Sequence, residues 1–138
     1  MIIGIGVDIV DMRRIEHLLK VYGDHFTHKV FTQEERAYAM TKVHPARAYA
    51  NRFAAKEAAL KALGTGKKGG IGWKDVEVLR ASSGAPSLCF YGEAYKKLLT
   101  QIPSGHTRCL HVSFSDEPPY STAFVVISAL KDEPLHIT

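Results

Sequence analysis

From Arg52 to Gly66 the chain reads Arg52-Phe53-Ala54-Ala55-Lys56-Glu57-Ala58-Ala59-Leu60-Lys61-Ala62-Leu63-Gly64-Thr65-Gly66, and little other than an α-helix can be made of it. Alanine, leucine, lysine and glutamate are among the strongest helix formers, and Gly64 stands where a left-handed C-terminal cap belongs. Upstream, Pro45 can open such a helix at its first turn. The spacing sets Phe53, Glu57 and Lys61 on one face and turns Lys56 about 100° away from Glu57. Glu57 and Lys61 so placed make an ordinary solvated ion pair, worth roughly a few tenths of a kcal/mol. They equally provide a ligand for a hard divalent cation next to a point charge for phosphate oxygens. The helix alone leaves both readings open, and Lys56 is expected to meet solvent or a neighbouring chain.

The N-terminal run Ile2-Ile3-Gly4-Ile5-Gly6-Val7-Asp8-Ile9-Val10-Asp11 reads as a buried strand rich in β-branched residues, with Gly4 and Gly6 permitting close backbone approach or a bulge. Asp11 suits the N-cap of a helix through Met12 to about Tyr22, with Ile15, Leu18 and Leu19 inward. Asp8 has no such task. A carboxylate inside an apolar run needs a cation, a donor or solvent, or it hydrogen-bonds a turn at the strand end.

Further on, Thr32 and Glu35 have the spacing of a capping box, opening a helix through Arg36, Tyr38, Ala39 and Met40 that gives way near His44-Pro45. Lys67-Lys68-Gly69-Gly70-Ile71-Gly72 lacks the Gly-Lys-Ser/Thr order of a Walker loop, leaving a flexible basic linker or a loop that grips an anion. Trp73 to Leu79 alternates as a strand with one wet face, Ser83-Gly84-Ala85-Pro86 signals a turn, and Ser87 to Phe90 reads as the return strand. A short helix is expected from about Gly92 to Thr100 with Tyr95, Leu98 and Leu99 inward. After a break at Ile102 to Gly105, strands Arg108–Phe114 and Thr122–Ala129, joined by Asp116-Glu117-Pro118-Pro119, are expected to form a central hairpin. His111, on the first of them, is read as a core or interface histidine ahead of a catalytic one.

A chain of 138 residues with 46% hydrophobic content fits one compact domain, assigned to 1–130 with a frayed tail over 131–138. No apolar run reaches the ~18 residues of a membrane span, and no signal-peptide pattern opens the chain, so no membrane association and a cytoplasmic location are expected. Cys89 and Cys109 lack metal-site spacing and are expected as reduced thiols. The net charge of +4 favours an acidic partner. A nucleic-acid-binding module is the competing explanation of that charge, but the basic residues form no long stripe interleaved with aromatics and match no such motif, so no nucleic acid is expected.

Taken together, three blocks resemble the small bacterial 4′-phosphopantetheinyl transferases, the holo-[acyl-carrier-protein] synthase family. They are Gly4-Ile5-Gly6-Val7-Asp8-Ile9-Val10, then Arg52 to Ala58 with Lys61 and Gly64-Thr65-Gly66, and His111-Val112-Ser113-Phe114-Ser115. The resemblance implies an α+β fold in which an antiparallel sheet packs against a long central helix. It implies transfer of 4′-phosphopantetheine from coenzyme A to a serine of apo-acyl carrier protein in fatty acid biosynthesis, releasing adenosine 3′,5′-bisphosphate. Asp8 and Glu57 would bind Mg2+, and Lys61 would lie on the phosphate side, making Asp8, Glu57 and Lys61 the catalytic group. Coenzyme contacts are implied for Arg52, Lys61, Gly64, Gly66, Gly84, Pro86 and Ser113, although Gly84 and Pro86 serve equally as turn formers. The first helix, through Arg14 and Arg13, would dock the acidic carrier, and active sites would sit at the interfaces of a homotrimer. Either Glu57 or a metal-bound water would take the serine proton, and the oxygen ligands suit manganese as well as magnesium. Glu35 stands where the family has an acid, yet the capping box already explains it. Asp116 occupies the position where the family commonly has histidine, so that histidine's role does not transfer. A carrier-binding relative without catalysis is the remaining alternative, and the presence of Asp8, Glu57 and Lys61 together argues against it.

Overall fold

The computed structural model describes residues 1–134. Strand β1 (Ile2–Asp11) leads directly into α1 (Met12–Tyr22), and the Asp11 side chain caps that helix by accepting from the Arg13 N–H. Then come α2 (Asp24–Val30), α3 (Gln33–Met40) and the 19-residue α4 (Pro45–Leu63). A 3-10 turn at Trp73–Asp75 precedes a hairpin of β2 (Val76–Arg80) and β3 (Pro86–Phe90). The chain closes with α5 (Gly92–Gln101), β4 (His106–Glu117) and β5 (Tyr120–Lys131).

The larger sheet is antiparallel in the order β1-β5-β4, while β2 and β3 form a separate two-stranded sheet. One face of the larger sheet lies on α4. The inward residues of β5, Ala123, Val125, Ile127 and Ala129, are buried there with Ala54, Ala55, Ala58, Ala59 and Ala62 of the helix. Small side chains on both partners allow the backbones to approach. The approach is closest at β1, where a Cβ on Gly6 would run into the Ala58 carbonyl and one on Gly4 into that of Ala62. A register shift between Ile2 and Gly4 accompanies it. Thus the two glycines seat the strand that carries Asp8 on the helix that carries Glu57.

The other sheet face points outward. Ile5, Val7 and Ile9 of β1 remain 58, 57 and 66% exposed beside an exposed Phe124. The register aligns Val7 with Phe124 and Phe124 with Ser113, so Ser113 also belongs to this face.

Several expectations are corrected. Asp24–Val30, to which no element is assigned above, is helical; Phe26 packs edge-on against Phe31 with ring centroids 5.8 Å apart. Trp73 lies in the 3-10 turn rather than the strand, and β2 has no alternating wet face because Glu77 is buried with its carboxylate accepting from the Tyr91 hydroxyl at 2.9 Å. Leu99 is exposed, and Ala94 is buried with Leu98 on the inner side of α5. Strands β4 and β5 run up to Pro118-Pro119, so Asp116 and Glu117 are strand residues, and β5 rather than the hairpin as a unit occupies the centre. His111 is exposed on the outward face and not in the core, with Nε2 3.4 Å from the Ser128 hydroxyl. At the C-terminus Lys131 still belongs to β5, and Asp132 is tied back through its N–H to the Gly105 carbonyl at 2.8 Å. The rest of the expected tail, residues 135–138, lies outside the described residues. Among the described residues, no helix is long and apolar enough to cross a membrane.

Candidate active site

The close seating of β1 on α4 brings Asp8, Glu57 and Lys61 together. Lys61 Nζ donates to Asp8 Oδ1 at 3.1 Å and to the Val7 carbonyl at 2.9 Å. Its ion-pair partner is therefore Asp8 on the neighbouring strand, not Glu57 one turn away. Glu57 is left as a half-buried carboxylate whose pKa is raised, first by burial and then by the negative charge of Asp8, against the opposing pull of Lys67, Lys61 and Arg14. A carboxylate whose ionisation is opposed by burial and by a neighbouring carboxylate is an incomplete electrostatic unit, and a hard divalent cation would complete it.

Two of the nearby cations are held by an aromatic pair. Phe53, one turn before Glu57, stacks on Trp73 with ring centroids 5.1 Å apart. Arg14 of α1 lies 5.5 Å from the Phe53 centroid, and Lys67 of the glycine-rich loop 4.0 Å from that of Trp73. Arg14 is thus brought within electrostatic reach of Glu57. Arg13 is bound instead to Asp11 at 2.7 Å, at the start of its own helix. At the far end of α4, Gly64 adopts φ 81° as the left-handed cap, and Gly66 follows with φ 58°.

A second cluster faces a different way, because Arg52 and Lys56 occupy another side of α4 from Phe53, Glu57 and Lys61. Here Tyr38, Lys42, Arg47, Arg52, Arg80 and Asp116 line a cleft of about 330 Å³. Arg52 is almost fully buried, donates to the Ala48 carbonyl at 3.3 Å, and leaves its Nε–H without a partner among the described residues. Its guanidinium sits 3.9 Å from the Tyr38 ring centroid, with Lys42 at 4.8 Å and Arg80 at 5.1 Å from the same ring. Burial lowers the pKa of Arg52, and the charge of Arg80 acts in the same direction. Crowded cations with a buried unpaired N–H make a receptor for an anion. Arg80 Nη1 donates to the Gly84 carbonyl at 2.6 Å and is the register partner of Pro86, so the turn residues expected near the coenzyme adjoin this cleft. Neither Tyr38 nor Arg80 was singled out by the sequence. Their places on α3 and β2 become informative only once both pack on α4.

Asp116 closes one wall by pairing with Arg47 and accepting from Asn51 Nδ2 at 3.1 Å, while Asn51 Oδ1 accepts from the buried Ser121 hydroxyl at 2.6 Å. These bonds, that of Arg47 first, hold its carboxyl below the ordinary 3.8. A depressed carboxyl contributes stability above its unfolded pKa and loses it as pH falls through the folded value. Asp116→Asn should therefore melt below wild type at pH 7, with the gap closing as pH is lowered through that range. A gap that does not change with pH in thermal scans would contradict the assignment.

Ser113 joins neither cluster within the chain. It lies on the outward face of β4, while the Asp8 side chain is turned toward α4.

Residues 4–122 match the family model of the 4′-phosphopantetheinyl transferase superfamily. The chain is 52% identical over 133 residues to a holo-[acyl-carrier-protein] synthase of Methylobacterium sp. (strain 4-46), covering 96% of this chain and 98% of that protein. Among solved structures it is similar to holo-[acyl-carrier-protein] synthase from Neisseria meningitidis, with a TM-score of 0.79 and 38% identity over 93% of this chain and 99% of that one. The Helicobacter pylori enzyme in complex with coenzyme A superposes with a TM-score of 0.75 and 28% identity, covering 90% of this chain and 99% of that one.

Proposed function

The chain belongs to the 4′-phosphopantetheinyl transferase superfamily, and we propose that within it the protein works as a holo-[acyl-carrier-protein] synthase. It transfers 4′-phosphopantetheine from coenzyme A to a serine of apo-acyl carrier protein and releases adenosine 3′,5′-bisphosphate. The observation that carries this reading at the level of residues is the juxtaposition of Asp8 with a Glu57 whose carboxyl is raised, Lys61 being bonded to Asp8.

The serine Oγ attacks the β-phosphorus, the bond from that phosphorus to the oxygen bridging to the adenosine bisphosphate breaks, and the serine proton is taken up by a base. Either Glu57 or a water held in the same site takes it. Lys61 is more than half exposed beyond its bond to Asp8, so its ammonium can turn to phosphate oxygens and offset charge on the leaving side. Asp8 and Glu57 are the oxygen donors that would hold Mg2+. When bound, that ion supplies neutralisation of phosphate charge. The anion cleft around Arg52 and Arg80 receives a coenzyme phosphate, with Gly84 and Pro86 at its border. Gly64 and Gly66 keep the end of α4 open beside the coenzyme.

The two clusters face different ways from α4, and the outward sheet face exposes a contiguous apolar surface. A homotrimer that buries Ile5, Val7, Ile9 and Phe124 would bring Ser113 of one copy to the coenzyme bound on another, and would set the active sites at subunit interfaces. Arg14, beside Glu57, is the leading contact for the acidic carrier, and Arg13 flanks it. Electrostatic docking of this kind weakens with salt, so KM for the carrier should rise several-fold between low and about 0.5 M salt. A carrier KM that stays constant in steady-state assays would contradict it.

The transfer itself is tested by incubating the protein with coenzyme A, magnesium and apo-acyl carrier protein and following the carrier by mass spectrometry. The expected result is a gain of one phosphopantetheine on serine, and no gain on a competent carrier would overturn the reading.

A further inference from the structure

Behind the anion cleft lies an ion pair with no part in the transfer chemistry. Lys56 and Glu35 are both 0% exposed at their side chains, with Nζ 2.7 Å from Oε1. The same Glu35 carboxylate accepts from the Thr32 N–H at 2.8 Å and, through its other oxygen, from the Val78 N–H at 2.9 Å. Lys56 also donates to the Trp73 carbonyl at 3.1 Å and to that of Val76. One buried pair thus fastens α3, α4, the 3-10 turn and β2 to each other. Stability alone is a poor reason for it, because apolar replacement of a buried pair is often neutral or stabilising.

The placement of its members gives a better reason. Glu35 is three residues from Tyr38 on α3, and Lys56 is one turn from Arg52 on α4, so each pair of positions shares a helix face. Val78 is two residues from Arg80 on β2, on the same strand face. The ion pair and the anion cleft are successive layers of the same three elements. Its other end holds the backbone of Trp73, which stacks on Phe53 and carries Lys67 toward Glu57.

We propose that Glu35 and Lys56 are positioning residues for coenzyme binding: their buried pair sets Tyr38, Arg52 and Arg80 around the anion and fixes Trp73 beside Glu57. This role rests on the coenzyme reading of the cleft. Two variants test it, the apolar replacement Glu35→Leu/Lys56→Met and the charge-keeping Glu35→Asp, which withdraws the carboxylate by one methylene. Trp73 is the only tryptophan of the chain, so its emission reports the turn directly. The expected result is a KM for coenzyme A raised about 10-fold or more, a carrier KM within about 2-fold of wild type, and red-shifted Trp73 emission, in protein that still melts cooperatively; displacement of positioning groups by an ångström carries effects of this size. Wild-type coenzyme KM and wild-type emission in folded variants would overturn the proposal and leave the pair a stability role only. If the double variant does not fold, Glu35→Asp decides by the same readouts. Should the wild-type protein fail to use coenzyme A, the function proposed above falls, and an unshifted Trp73 emission is then what overturns the positioning of the turn.

Discussion

Glu57→Ala is expected to lower kcat for carrier modification by about 1,000-fold or more while leaving the melting temperature equal to or slightly above that of wild type. Electrostatic groups aimed at transferring phosphate carry effects of this order. The two halves of the expectation have one cause. Burial and Asp8 raise the Glu57 pKa, so at neutral pH its ionised form is the costly one, and removing it relieves the fold of a repelled charge. Alanine also suits the helix, which already carries Ala58 and Ala59 beside the position. Steady-state kinetics with coenzyme A and apo-carrier, alongside a thermal scan, check both halves. A variant retaining a tenth of wild-type kcat would remove Glu57 from the catalytic group.

Gly6→Ala should have the largest effect on the fold. Its Cβ would lie 1.8 Å from the Ala58 carbonyl oxygen, and the atoms that must give are helix backbone, with no flexible side chain to swing aside. Overpacking of this kind costs about 3 kcal/mol or more, which corresponds to a fall of roughly 10 °C in Tm. Activity should fall further than stability accounts for, because Asp8 is two residues along the displaced strand and its distance to Glu57 is what the site depends on. Gly72→Ala is the matched control, since among the described residues Gly72 has no neighbour within 4 Å of an added Cβ, and its φ is not positive. Equal melting temperatures for the two variants would contradict the close seating of β1 on α4.

The local codes of the sequence were legible where the deciding contacts are themselves local. Pro45 opens α4 and Gly64 ends it in the left-handed conformation, Thr32 and Glu35 make the capping box, and Asp11 caps α1, all as their positions imply. Family resemblance, joined to the strand character of residues 2–11, was enough to bring Asp8, Glu57 and Lys61 into one site. What could not be read was which neighbour covers a given helix face. Lys56 was expected in solvent or at a neighbouring chain, yet it is buried against Glu35, a residue whose capping role had seemed a sufficient explanation. Glu35 does both, one oxygen serving Thr32 and Lys56 and the other Val78. Similarly, the i, i+4 rule offered Glu57 to Lys61, and the strand supplied Asp8 instead. Helix α2 carries no such local code: it has no side-chain cap, and its seven residues depend on Phe26 packing against Phe31. Arg80 and Tyr38 carry no motif at all. They matter because β2 and α3 meet over Arg52.

The central claim is that Asp8 and Glu57 form the cation-dependent centre of a phosphopantetheinyl transfer. Its most direct test is to strip the protein of divalent cations with a chelator and then measure adenosine 3′,5′-bisphosphate release and carrier mass gain together, with and without added magnesium. The account predicts that both products appear in equal amounts with magnesium, that neither appears without a divalent cation, and that Glu57→Ala yields neither under either condition. Carrier modification at an undiminished rate in the chelated protein, or in Glu57→Ala, would contradict it.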